Sequence, residues 1–224
     1  MNRTYVTTAS TVLSLMMAAA LVAPAMAAER KPSPVSAECF FPVADIGLNE
    51  AAIRRVLAAC TAVIRTRGLA DAAYADAYLQ RGSMYRRQGK YALAFADFNE
   101  SIRYDPQSAD AYTGRANARR HMGELDAAIA DHSEAIRLRP DFAMAYSNRG
   151  NVWRDKKMFE RAIADFDQAI RLNPRYAAAF YNRALVHLDA GDKELAIADY
   201  RQALTLNPNL QLVADALKEL GAAK

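Results

Sequence analysis

Pro106, Pro140, Pro174 and Pro208 stand 34 residues apart, and the motifs A-Y, R-G or R-A, A-I-A-D and A-I-R-L recur ahead of them. A proline ends a helix because it lacks the N–H that the next turn needs. A period of 34 residues is the length of a helix–turn–helix unit that cannot bury its own apolar face and leans on its neighbours. The spacing therefore predicts a stacked array that presents a surface for holding something, not a pocket for transforming it.

Residues 1–27 read as an export signal. Arg3 supplies a short positive start, Val12 to Val22 an apolar stretch interrupted by Ser14, and Pro24 with Ala25-Met26-Ala27 the break and small-x-small site of a cleavable leader. Cleavage is expected before Ala28, which places the mature protein in the periplasm or outside the cell; the alanine-rich leader points to a Gram-negative bacterium. The rival is an uncleaved anchor, since residues 4–28 carry no charge. Ser and Thr residues before Leu13 make it a poor span, and no stable membrane insertion is expected after cleavage.

Arg3 is the only charged residue in that leader, so its removal takes the net charge from +4 to +3. So mild an excess does not imply nucleic acid. Cys39 and Cys60 both lie in the mature portion, and export carries them to a compartment where disulfides persist. They are expected to pair, a closure that contributes about 3 kcal/mol for a loop of roughly 20 residues. A buried free Cys60 in a helix is the alternative.

Residues 28–48 carry Pro32, Pro34, Pro42 and Gly47 without a helical period and read as a flexible leader. Asn49 then caps a helix whose apolar residues, from Ile53 to Ile64, fall three and four apart. Its A-C-T-A-V-I text is a worn form of the later A-D-F-N-E-S-I, so 49–74 reads as a degenerate leading repeat helix followed by an insert. Four regular units follow, 75–108, 109–142, 143–176 and 177–210, and 211–224 reads as a capping helix whose Leu212, Val213, Ala216, Leu217 and Leu220 cover the last apolar face. Each unit turns at Gly89, Gly123, Lys157 or Gly191. A lysine where the others have glycine predicts a different turn in the third unit.

Each unit also opens its first helix with a large aromatic (Tyr78, Tyr112, Tyr146, Phe180), follows it four residues on with a small one (Gly82, Ala116, Gly150, Ala184), and repeats an alanine in the second helix (Ala94, Ala128, Ala162, Ala196). Phe98, His132, Phe166 and Tyr200 come next, then Ser101, Ala135, Ala169 and Ala203, then the prolines. This pattern, unbroken over 75–208, resembles the tetratricopeptide repeat. The resemblance implies an all-α fold, an α-solenoid of antiparallel helix pairs wound as a right-handed superhelix, with first helices lining a concave groove for a protein or peptide partner.

By that resemblance the groove-facing residues are Gln80, Asn117, Asn148, Asn151 and Asn182, with Arg86, Arg120 and Arg154. Carboxamides suit an extended peptide because each donates and accepts; arginines add attraction for carboxylates. The opposing reading is that the arginines are a solvated helix face. Relatives that grip a C-terminal carboxylate use lysines where this chain has Leu79 and other uncharged or acidic residues, so that clamp is not intact. Within the chain, Arg81, Arg115, Arg149 and Arg183 each precede Asp97, Asp131, Asp165 and Asp199 by 16 residues. These are expected to pair across or between hairpins and to fix register; the alternative is that the four arginines bind ligand.

His121, His132 and His187 fall in different helices with no metal-ligand spacing, and there is no phosphate loop or nucleophile motif. No catalysis, cofactor or metal is expected. Unit two departs most from the pattern, with Arg119 where its neighbours have Tyr85, Trp153 and His187, and with His132 in an aromatic row; it reads as a softer seam. The leading expectation is an exported scaffold for a peptide or protein. The alternative is an assembly protein that self-associates into homo-oligomers through the ends of the stack.

Overall fold

The computed structural model describes residues 34–40 and 49–222. The expected signal peptide lies outside the described residues. Those residues form α1 (Pro34–Phe40), α2 (Glu50–Arg65), α3 (Asp71–Arg87), α4 (Tyr91–Tyr104), α5 (Ala109–His121), α6 (Leu125–Leu138), α7 (Ala143–Asp155), α8 (Phe159–Leu172), α9 (Ala177–Ala190), α10 (Lys193–Leu206) and α11 (Gln211–Glu219). No strand occurs among the described residues, and the protein is an all-α solenoid.

The second helices stop where the prolines demand it. Asp105, Arg139, Asn173 and Asn207 sit between φ −132 and −141 with ψ between 89 and 94, the region to which a following proline confines a residue. Within each hairpin the turn uses a left-handed residue, Gly89, Gly123 and Gly191 at φ 71, 82 and 91. The expectation that the third unit turns differently is corrected here. Lys157 adopts φ 58, and its hairpin keeps the hydrogen bonds of the glycine turns, Lys157 N–H to the Arg154 carbonyl and Met158 N–H to that of Trp153. A side chain in that conformation costs about 1 kcal/mol.

Helices pack in consecutive pairs, α3 with α4 through α9 with α10, and each pair rests on the next. The first helices also touch one another, α3 to α5, α5 to α7 and α7 to α9, whereas no comparable contact joins the second helices among the described residues. First helices therefore crowd along an inner wall while second helices spread along an outer one. Small and large residues interlock between them. Ala94, Ala128, Ala162 and Ala196 are fully buried, as are Phe98, His132 and Phe166, with Tyr200 close behind. Phe98 fills the notch over Gly82 and Gly114 so closely that a methyl group on Gly114 would stand 2.4 Å from the ring.

The two ends are closed differently. In the leader, expected to lack helical period, Pro34 opens α1, a first position that tolerates its missing N–H. Asn49 caps α2 by accepting from the Ala52 N–H at 2.9 Å. Cys39 and Cys60 form a buried disulfide joining α1 to α2, packed among Val56, Val63, Ala77 and Met84. The A-C-T-A-V-I alignment puts Cys60 in the row of Phe98, so the disulfide occupies the place that an aromatic ring fills elsewhere. At the far end Val213 and Leu217 of α11 cover α10, but Leu212, expected on that face, is 75% exposed.

Candidate functional site

The repeated arginines face the core of the stack. In every hairpin the guanidinium is bidentate to the aspartate of the paired helix: Arg81 to Asp97 at 2.8 and 2.7 Å, Arg115 to Asp131 at 2.9 and 2.6 Å, Arg149 to Asp165 at 2.8 and 2.8 Å, Arg183 to Asp199 at 2.8 and 2.7 Å. The remaining nitrogen reaches the preceding hairpin, from Arg81 to Thr61 Oγ1 at 3.2 Å, Arg115 to Asn99 Oδ1 at 2.8 Å and Arg149 to Ser133 Oγ at 2.9 Å, with Arg183 on Asp167. Each guanidinium also lies 5.3 to 5.7 Å over the aromatic ring three residues earlier, Tyr78, Tyr112, Tyr146 or Phe180. The hydrogen bonds to aspartate hold Arg81, Arg149 and Arg183 above the ordinary arginine pKa. With every nitrogen engaged, this row ties three helices together and leaves nothing to offer a ligand.

The second hairpin adds a further cation. Arg119 donates to Asp131 at 2.7 Å, so that one carboxylate serves two guanidiniums, and Arg119 lies 5.3 Å over Phe95 of the preceding hairpin. His132 is fully enclosed, neither ring nitrogen has a partner, and burial, reinforced by Arg149 and Arg120, pushes its pKa down to about 3. It is a neutral core side chain in a place where its neighbours have Phe or Tyr.

The inner wall is polar and only half covered. Gln80, Asn117, Asn148, Asn151 and Asn182 all stand half-buried on the first helices. Gln80, Ser83, Arg86, Thr113 and Asn117 come together around a cavity of about 360 Å³ between α3 and α5. Of the arginines expected there, two are engaged within the array. Arg120 is bound to Asp155 at 2.5 and 3.0 Å and Arg154 to Asp189 at 2.6 Å, each pair joining the end of one first helix to the end of the next. They stitch seams together and do not stand free in the groove. The counter-ions follow their arginines by 35 residues, an offset that crosses a repeat boundary and that a search for repeats within units passes over.

Arg86 is the exception in this row. The residue 35 positions on is His121, which is stacked on Tyr91 at 4.2 Å between ring centres, and Arg86 has no ion pair among the described residues. Burial, with Arg87 beside it, lowers the Arg86 pKa; burial, with Arg120 and Arg86 nearby, lowers that of His121. The arrangement offers amide donors and acceptors, hydroxyls and one uncompensated cation. No group of three or more His, Cys, Asp or Glu residues suited to a metal ion occurs among the described residues.

Family models for the TPR repeat match residues 82–120 and 116–153, and one for the tetratricopeptide repeat matches 157–210, together more than half of the chain. The chain belongs to the tetratricopeptide repeat family. No curated protein matches its sequence. Among solved structures, pilF of Pseudomonas aeruginosa is 27% identical with a TM-score of 0.62 over 66% of this chain and 67% of its own. YrrB, described as a TPR protein with an unusual peptide-binding site, is 21% identical with a TM-score of 0.58 over 75% of this chain and 84% of its own. The first TPR of Spaghetti (RPAP3), bound to the HSP90 peptide SRMEEVD, is 25% identical with a TM-score of 0.50 over 51% of this chain and 94% of its own. The arginine–aspartate row and the disulfide-closed end are thus features of a tetratricopeptide array, and no described helix is long and apolar enough to cross a membrane.

Proposed function

We propose that this chain is an exported, non-catalytic tetratricopeptide scaffold that holds an extended peptide or protein segment against its inner wall. The observation that carries the reading is the half-buried row of carboxamides along α3, α5, α7 and α9, which opens at one seam into a cavity where Gln80, Arg86 and Asn117 stand beside Leu79 and Met144. Such side chains match the alternating donors and acceptors of an extended backbone. Peptide binding by YrrB and by the Spaghetti repeat supports it as analogy within the fold. Site-specific photo-crosslinkers test it. Placed at Gln80, Asn148 or Asn182 in living cells of the source organism, they are expected to trap a partner protein, while crosslinkers at Glu134 or Arg171 on the outer wall trap none. Equal trapping on both walls would end the reading, and fractionation that finds the protein in the cytoplasm would end the export part of it.

A second reading, self-association through the ends, draws on the exposure of Leu212 on α11. Light scattering separates the two: end-to-end assembly gives oligomers that Leu212→Glu dissolves, and a groove scaffold stays monomeric.

A further inference from the structure

We propose that the seam between α3 and α5 is a subsite for the side-chain carboxylate of an Asp or Glu in the segment held by the inner wall, with Arg86 as its counter-charge. The inference rests on the reading of that wall as a binding groove and adds to it a place and a chemistry. At the next two seams the array itself shows what fills this position. Arg120 and Arg154, which occupy the same place in their repeats, each receive the carboxylate of an aspartate from the following first helix. At the first seam that aspartate is replaced by His121, and Arg86 keeps its charge without a partner.

The surroundings leave the vacancy to a guest. Arg86 is half-buried, with the like charge of Arg87 beside it and a His121 ring that burial and the nearby arginines keep from taking a proton, so neither neighbour supplies a counter-charge. Asp110, the one acid lining the cavity, is already paired with Arg139 at 2.5 Å. Thr113, also in the lining, is 3% exposed and its hydroxyl has no hydrogen-bond partner. A partly desolvated guanidinium without an anion is unfavourable, and a planar carboxylate that meets it in bidentate fashion relieves that state. Gln80 and Asn117 flank the position and suit the backbone on either side of an acidic residue.

The test uses the purified protein with ¹⁵N-labelled arginine and asparagine side chains, titrated with a capped six-residue Ala/Glu peptide. The Arg86 Nε–H and Asn117 amide signals are expected to shift saturably while those of Arg120 and Arg154 stay in place. The Gln counterpart of the peptide is expected to bind at least ten-fold more weakly. His121→Asp, which restores the aspartate of the other seams at an exposed position, should weaken the Glu peptide by a similar factor without lowering the melting temperature, and Arg86→Gln should do the same. An uncapped all-Ala peptide that binds as tightly as the Glu peptide would show a terminal carboxylate to be the ligand and overturn the assignment. So would an unmoved Arg86 signal, or undiminished binding to His121→Asp. Inner-wall crosslinks that persist alongside any of these results leave the scaffold reading standing and remove this inference alone.

Discussion

The seam between the first and second hairpins and the two seams that follow it are built from equivalent helices but satisfied differently. At the later seams an arginine on one first helix meets an aspartate on the next, Arg120 with Asp155 and Arg154 with Asp189, and the inner edge is electrically closed. At the first, Arg86 faces His121, and the hairpin behind it carries Arg119 and the enclosed His132 in places its neighbours give to aromatics. A solenoid's stability is close to a sum of unit and neighbour terms, so such substitutions remain local and need not disturb the rest of the stack. The difference teaches that one tetratricopeptide array can close two inner seams with ion pairs and leave the arginine of a third unpaired.

The strongest way to break this comparison is at the shared carboxylate. Asp131→Asn takes from Arg115 its anion and leaves Arg119 only the more exposed Glu124 at 3.7 Å, where Asp165→Asn strands Arg149 alone. Removing one partner of a buried pair costs about 3–5 kcal/mol. Urea denaturation should place Asp131→Asn at the top of that range and below Asp165→Asn in midpoint. Equal losses would mean that Arg119 does not draw on the pair.

His132 provides the next test, through pH. Its folded pKa of about 3 lies below the ordinary 6.5, so the unfolded chain takes the proton first as the solution is acidified. Stability present above pH 6.5 is therefore lost as the pH falls toward 3, by about 2 kcal/mol at pH 5. In His132→Phe that loss should disappear between pH 7 and 5, before most carboxylates titrate. A variant that keeps the wild-type slope would remove His132 as its source.

Much of this was legible beforehand. The prolines announced the period, and the constant separation of Arg81 from Asp97 and of its three copies announced a partnership, because both lie within one repeat and recur in register. What stayed hidden spans a boundary or depends on backbone shape. The partners of Arg120 and Arg154 lie in the next repeat. The seven residues of α1 are too few to show a period, and its place in the stack depends on the bond from Cys39 to Cys60. Nothing in the identity of Lys157 tells whether the hairpin or the side chain gives way. The hairpin wins, since its turn hydrogen bonds and flanking helix contacts outweigh one strained residue.

That residue gives a smaller prediction. Lys157→Gly should raise the unfolding free energy by about 1 kcal/mol, because glycine adopts the observed φ of 58 without strain. No change, measured by thermal melting, would mean that the turn relaxes around the lysine. Smaller still is the effect of the stitches along the inner edge. Asp155→Asn should cost about 0.5 kcal/mol, as partly exposed ion pairs do, and should make Arg120 resemble Arg86 in its response to acidic peptide.

The contrast between seams is measured most directly by the hydrogen exchange of three arginine side chains in the unliganded protein, each assigned by mutation. With aspartate partners in place, the Nε–H groups of Arg120 and Arg154 should exchange slowly and that of Arg86 at least several-fold faster, with His121→Asp bringing Arg86 into line. Three indistinguishable rates, unaffected by that substitution, would contradict the view that the array leaves the arginine of one seam unpaired.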